Sequence, residues 1–131
     1  MNNKKIMVCV TQQKLCKRLI ERAHTLKQHE EDELFVIHVV KENWKYFGQL
    51  KESDALEYLF ESAKEYGATL NVFKAKDIEG TLANFAEKES VDMIVMGESL
   101  ESSQQQNMIN RLQDKTQKQV VFEIVSQDYE S

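Results

Sequence analysis

The chain is predicted to fold as an α/β protein, a three-layer sandwich in which a five-stranded parallel sheet lies between helices. Three observations lead there. Apolar runs of strand length, rich in β-branched residues, recur along the sequence. Stripes of apolar residues at helical spacing separate them, and each stripe is long enough to form a crossover between parallel strands. The runs do not alternate with polar residues, so the strands they form need cover on both faces.

The first strand is expected over Lys5–Val10, and the second over Glu33–Val40, "ELFVIHVV". Between them Leu15, Leu19, Ile20, Ala23 and Leu26 mark an amphipathic helix. Ala55, Leu56, Leu59, Phe60 and Ala63 mark a second helix, ending where Gly67 suits the residue just past a helix terminus. Thr69–Phe73 reads as the third strand. Ile78, Leu82, Phe85 and Ala86 mark the third helix with Asp77 as its N-cap, and Met93–Met96 the fourth strand. Met108, Ile109 and Leu112 mark the fourth helix, and Val120–Val125 the fifth strand, before a polar tail from Gln127 to Ser131. With no proline, no Gly/Ser linker and no internal repeat, nothing divides residues 1–131, and one domain is expected.

Composition narrows the function. A net charge of −5 gives no global field for phosphate backbones, so nucleic acid is not an expected partner. No stretch reaches the ~20 apolar residues of a membrane span, and "MNNKKIMVCV" is too short in its apolar part for a signal peptide, so a cytoplasmic location is expected. Cys9 and Cys16 lack any CxxC or Cys/His setting and read as reduced, small, buried apolar residues. No metal site and no Ser/His/Asp, Cys/His or paired-carboxylate constellation can be assembled, which argues against an enzyme and calls for no cofactor. The acidic turn "HEEDE", His29–Glu33, reads as solvated, and His38 as a satisfied core histidine.

Ligands of open α/β sheets bind beyond the carboxyl ends of the strands. The loops at that end are Thr11–Gln13, Lys41–Lys45, Lys74–Asp77 and Gly97–Gln106. "TQQ" after the first strand has no glycine for close approach of a phosphate; Thr11 either caps the first helix or, with Gln13, bonds a ligand. After the fourth strand Gly97 stands alone, no Lys or Arg occurs between Val91 and Asn110, and Glu98 and Glu101 place negative charge where a phosphate would lie. Ser103–Gln106, "SQQQ", fits a capping box that starts the fourth helix. In "KENWKYFG", Lys41–Gly48, the aromatics Trp44, Tyr46 and Phe47 either cover a core edge or form a lid for a base or a partner.

The segments "KKIMVCV", "KRLIERAHTL", "LFVIHVV", "YGATLNVF" and "GTLANFAEKESVDMIVMGES" together resemble the universal stress protein superfamily over about Lys5–Val125. "RLIERA" and "LANFAEKESVDMIVMGES" look most like the stress-protein-like module of potassium-sensing histidine kinases of the KdpD type. The resemblance implies a sheet of order 3-2-1-4-5, of the adenine nucleotide alpha hydrolase-like kind. It also implies a homodimer through the last strand at Val120, Val121, Phe122 and Ile124, which would cover an otherwise exposed edge. ATP-binding members carry an acidic residue after strand one and a G-x2-G-x9-G-[ST] loop after strand four. Counted from Gly97, the second and third glycine positions here hold Leu100 and Asn110. Kinase-embedded modules are associated with cyclic dinucleotides through a Ser-x-Ser turn and an aromatic-rich second strand; Thr11 and Gln13 stand for the serines, Phe35 is kept, and Val39 replaces a tyrosine.

The leading expectation is a non-enzymatic regulatory or stress-response protein that does not bind ATP and acts through its surface, with a protein partner, and through dimerisation. The alternative is a sensor for a nucleotide or cyclic dinucleotide held by Thr11, Gln13, Phe35, Lys41, Lys74, Lys76 and Gly97. A flavodoxin-like electron carrier is disfavoured because "TQQ" is poor in donors for a flavin phosphate.

Overall fold

A computed structural model describes residues 3–10, 13–41, 50–99 and 101–126, with side chains described except at 13–16, 41 and 50–55. Strands and helices alternate: β1 (Lys5–Val10), α1 (Gln13–Thr25), β2 (Glu33–Lys41), α2 (Leu50–Glu65), β3 (Thr69–Ala75), α3 (Ile78–Glu89), β4 (Met93–Gly97), α4 (Ser102–Lys115) and β5 (Val121–Val125). All pairings are parallel and the strand order is β3-β2-β1-β4-β5. The fold class and strand order are those expected. The winding therefore reverses at β1, which lies between β2 and β4.

Each face of the sheet has its own core. Ile6, Val8 and Val10 of β1 meet Leu19, Ile20 and Ala23 of α1 and Leu59 and Ala63 of α2. Met7 and Cys9 face the other way, toward Leu82, Ala83 and Ala86 of α3 and Leu112 of α4. Burying β1 on both faces is what its unbroken apolar run required. Several strands run beyond the apolar residues that signalled them because the neighbouring ladder continues: Lys41 pairs with Ala75, and Gly97 with Val125.

The helix ends follow local chemistry. Gly67, at φ +71°, closes α2 in a Schellman motif, with the Ala68 amide bonded to the Ala63 carbonyl at 2.8 Å and the Gly67 amide to Lys64 at 3.2 Å. Asp77 caps α3 as anticipated, its carboxylate accepting from the Gly80 amide at 3.1 Å. At the other end of α3, Ser90 holds the left-handed conformation at φ +56° with the same pattern of closing bonds, Val91 to Ala86 and Ser90 to Glu87. A Cβ in that region is unfavourable, and the serine that carries it is exposed.

The amino-terminal end of the sheet is pinned by two aspartates. Asp32 accepts from the amides of Lys4 (2.9 Å), Gln28 (2.9 Å) and His29 (3.2 Å), and is buried at 4% exposure. Asp92 accepts from the Lys5 amide and from Lys118 Nζ, at 2.9 and 2.8 Å. One carboxylate thus stands before each strand flanking β1, and the successive amides of Lys4 and Lys5, where the central strand begins, bind them. The expected solvated turn at His29–Glu33 is corrected on this point: Glu30, Glu31 and Glu33 are exposed, but Asp32 turns inward because three backbone donors converge on it. The Lys4 amide contributes most to holding the Asp32 carboxyl below its ordinary pKa; burial opposes this, and the Gln28 and His29 amides add to it. For Asp92 burial is the largest influence and acts upward, yet the bonds from Lys118 and Lys5 outweigh it and its pKa is also lowered.

Two predictions follow from these ends. Ser90→Gly should raise unfolding free energy by about 1 kcal/mol in urea melts, and Ser90→Val should lower it, since only glycine is free of the left-handed penalty. Because both aspartates have lowered folded pKa values, their stabilisation is complete above the unfolded value of ~3.9 and is lost as pH falls through the folded values. Thermal midpoints should therefore drop below about pH 4, and Asp32→Asn should melt lower at neutral pH with a shallower acid dependence.

Candidate functional site

The carboxyl ends of β1 and β4 lie side by side where the winding reverses, the place at which an open α/β sheet receives ligands. Of the residues named for a ligand cleft, Gly97 ends β4 at this point. Gln13 begins α1 and Lys41 ends β2, with their side chains outside the described set, as is Thr11 altogether. The stretch from Glu42 to Gln49, with Trp44, Tyr46 and Phe47, also lies outside the described residues. Lys74 and Lys76 are exposed at the end of β3, the far edge strand, separated from β4 by β2 and β1. At ~4.8 Å per strand spacing this puts them about 14 Å from Gly97 across the sheet.

Phe35 is not with them. It is paired with Met7 and Thr69 in the amino-terminal third of β2, six residues before Lys41, or about 20 Å along the strand. Its ring packs edge-on against Phe85 of α3 at 5.3 Å, inside the core on that face. Its aromatic character serves packing, and the structure does not bring it to the carboxyl edge. His38 is half-buried and reaches β1: Nδ1 lies 3.1 Å from the Val10 carbonyl, which can only accept, so this nitrogen carries the proton in that bond. This agrees with a satisfied core histidine.

The turn between β4 and α4 departs from the expected capping box. The helix begins at Ser102 with Glu101 as N-cap, and no side chain caps it. Ser103 is inside the helix, and Gln106 donates to Asn110 Oδ1 at 3.1 Å instead of reaching back. The reason lies one residue earlier. Gln105 Oε1 accepts from the Ser99 amide at 3.0 Å while its Nε2 donates to the Gly97 carbonyl at 2.9 Å. Starting the helix at Ser102 aims this carboxamide at the turn and satisfies both of its ends. The Glu98 amide donates to the Val125 carbonyl at 2.8 Å, and the Glu101 amide to Ser99 Oγ at 3.1 Å. The amides of Glu98, Ser99 and Glu101 are thus bonded within the chain. Glu98 and Glu101 themselves are exposed, so water weakens their repulsion of an anion toward ~1 kcal/mol for a charge ~4 Å away. Occupied amides therefore weigh at least as heavily as charge.

Beside the turn is a cavity of about 350 Å³ lined by Glu79 of α3 and by Ser99, Gln104, Gln105, Asn107, Met108 and Arg111. Its cation is committed: the Arg111 guanidinium donates to both oxygens of Glu79, through Nε at 2.8 Å and through Nη2. That bond leads the influences lowering the Glu79 pKa and raising that of Arg111. Sequence reading missed Gln105 as the residue that ties the turn; a glutamine eight residues beyond the strand-end glycine carries no local signal of it. Among the described residues no cluster of His, Cys, Asp and Glu could hold a metal ion.

Cys9, near the carboxyl end of β1, is buried, and burial pushes its thiol up to about 12. That agrees with the apolar role read from its setting, while the Cys16 side chain is outside the described set. In a Cys16→Ser variant, Cys9 should resist thiol labelling in the native protein and react fully in denaturant; rapid native labelling would contradict its placement.

A parallel sheet of order 3-2-1-4-5 with paired helices on each face and a glycine-ended fourth strand at the reversal of winding defines a stress-protein-like α/β domain. The universal stress protein family model matches residues 2–119, and the chain belongs to that family. No curated protein matches by sequence. Among solved structures, the hypothetical protein MJ0577 is similar at 16% identity and TM-score 0.67, over 99% of this chain and 100% of that one. A universal stress protein in complex with cAMP shares 14% identity at TM-score 0.63, over 95% and 98% of the two chains. The universal stress protein UspA from Lactobacillus plantarum shares 13% at TM-score 0.57, over 95% and 99%. Such identities speak for the fold. Among the described residues no helix is long and apolar enough to cross a membrane.

Proposed function

We propose that this chain is a non-enzymatic regulatory domain of the universal stress protein family that does not bind ATP. The observation that carries the reading is the β4–α4 turn, whose amides at Glu98, Ser99 and Glu101 are spent on Val125, Gln105 and Ser99. A phosphate held there would have to displace these bonds, with no Lys or Arg between Val91 and Asn110 to assist it. The third glycine position of the ATP-binding motif, Asn110, moreover falls in the middle of α4. The protein acts in the cytoplasm through its surface, in the manner of a free-standing counterpart of the sensor module of KdpD-type kinases, which its "RLIERA" and "LANFAEKESVDMIVMGES" segments resemble. Isothermal titration with ATP, with and without magnesium, should give no saturable heat; micromolar binding would overturn the reading.

Homodimerisation through β5 is part of the proposal. Val121 is 54% exposed and Ile124 36% exposed on this edge strand, whereas Phe122 is partly packed against the core. Val120, named with them from the sequence, precedes β5 and is buried at 4% exposure, so it belongs to the core and not to the interface. It is held there by its amide, which donates to Gln113 Oε1 at 3.0 Å. Sedimentation should show a dimer that Ile124→Pro converts to monomer by removing an edge donor; an unmodified monomer at high micromolar concentration would refute it.

A second reading has one observation in its favour, the similarity to a universal stress protein in complex with cAMP. In it a nucleotide or cyclic dinucleotide is held at Thr11, Gln13, Lys41 and Gly97, with Lys74 and Lys76 reaching in from the far edge. A thermal-shift screen of nucleotides separates the readings, and no shift with any of them leaves the regulatory reading standing.

A further inference from the structure

We infer that Gln105 is an internal plug, a side chain seated where an anion would otherwise meet the β4–α4 turn, and that it sets the turn's refusal of phosphate together with Glu98 and Glu101. The inference rests on the reading that the chain does not bind ATP and names the residue responsible. A strand-to-helix turn at the reversal of winding receives anions through backbone amides left free by the absence of side-chain partners. Here the Ser99 amide is taken by Gln105 Oε1 at 3.0 Å, and Nε2 of the same carboxamide is anchored on the Gly97 carbonyl at 2.9 Å. The two contacts are complementary in sign, donor to acceptor and acceptor to donor, so the amide orientation is fixed and neither end can be swapped for an anion at no loss. A phosphate offers acceptors, so in place of the carboxamide it could meet the Ser99 amide but would leave the Gly97 carbonyl without its donor.

The geometry also explains why a glutamine is needed. Gln105 lies in the first turn of α4 and must span back past Ser99 to the strand end; asparagine is one methylene shorter, and glutamate would set an acceptor against the Gly97 carbonyl. Gln105 is half-buried and borders the cavity that Arg111 and Glu79 close on the far side. Removing its side chain would join the freed Ser99 amide to that cavity without disturbing the buried face of α4, where Leu112 does the packing.

Two measurements on the full chain test this. Amide hydrogen exchange should show Ser99 protected in the unmodified protein and exchanging about 10-fold faster in Gln105→Ala, with Ile94 and Val95 of β4 unchanged as the control for folding. Titration with inorganic pyrophosphate should give at most weak binding to Glu98→Gln/Glu101→Gln, and saturable binding at least about 10-fold tighter once Gln105→Ala is added. Unchanged Ser99 exchange, or equal pyrophosphate affinity with and without the Gln105 side chain, overturns the plug. ATP binding by the unmodified chain would count against the proposed function instead, and the exchange result would still decide on Gln105.

Discussion

The rest of the structure depends on the complete burial of β1. Its side chains from Ile6 to Val10 are divided between two cores, and every one is nearly or wholly removed from water. A strand so placed has no solvent to satisfy its backbone, so its carbonyls and amides must be met by β2 on one side, β4 on the other, and special partners where the ladders end. At the amino-terminal end those partners are Asp32 and Asp92, which bind the amides of Lys4 and Lys5 while the Glu33 and Asp92 amides return bonds to the Lys4 and Lys5 carbonyls. At the carboxyl end His38 meets the last carbonyl of the strand. The polar residues that look misplaced in a hydrophobic framework are the ones that let the framework form.

The same accounting governs the turn after β4. Strand-to-helix turns at this end of an α/β sheet carry amides that need a partner, and a ligand is one way to provide it. For the amides of Glu98, Ser99 and Glu101 this chain provides it from within, through the end of β5, Gln105 and the Ser99 hydroxyl. The residues from Ser102 onward are wound into α4. The neighbouring cation is neutralised in like manner, since Arg111 and Glu79 hold each other across the gap between α4 and α3. The switch point of this scaffold is thus furnished with partners drawn from the chain itself.

The two edges of the sheet differ in ways that bear on assembly. On β5 the charged residue Glu123 is held by Arg22 of α1 at 2.8 Å, and the Ser126 carbonyl is bonded to Arg18. These contacts brace the strand from one face while Val121 and Ile124 remain outward. On β3 exposed Lys74 follows Val72 along the strand, with exposed Lys76 just past its end, and lysine on an edge discourages strand addition.

The amino-acid sequence by itself determined the kinds of element, their order and the two-sided burial of the sheet, because periodicity, β-branched runs and caps such as Asp77 and Gly67 act over a few neighbouring residues. The strand order could be reached only through a family resemblance, since local pattern says nothing of which strands pair. What tertiary structure alone decided were the roles of residues whose partners are distant or whose helical phase depends on packing: Phe35 drawn to Phe85, Asp32 turned in toward Lys4, Val120 taken into the core, and Gln105 bent back to Gly97. A polar side chain satisfies whichever donor or acceptor the fold brings within reach, and no spacing along the chain encodes that reach.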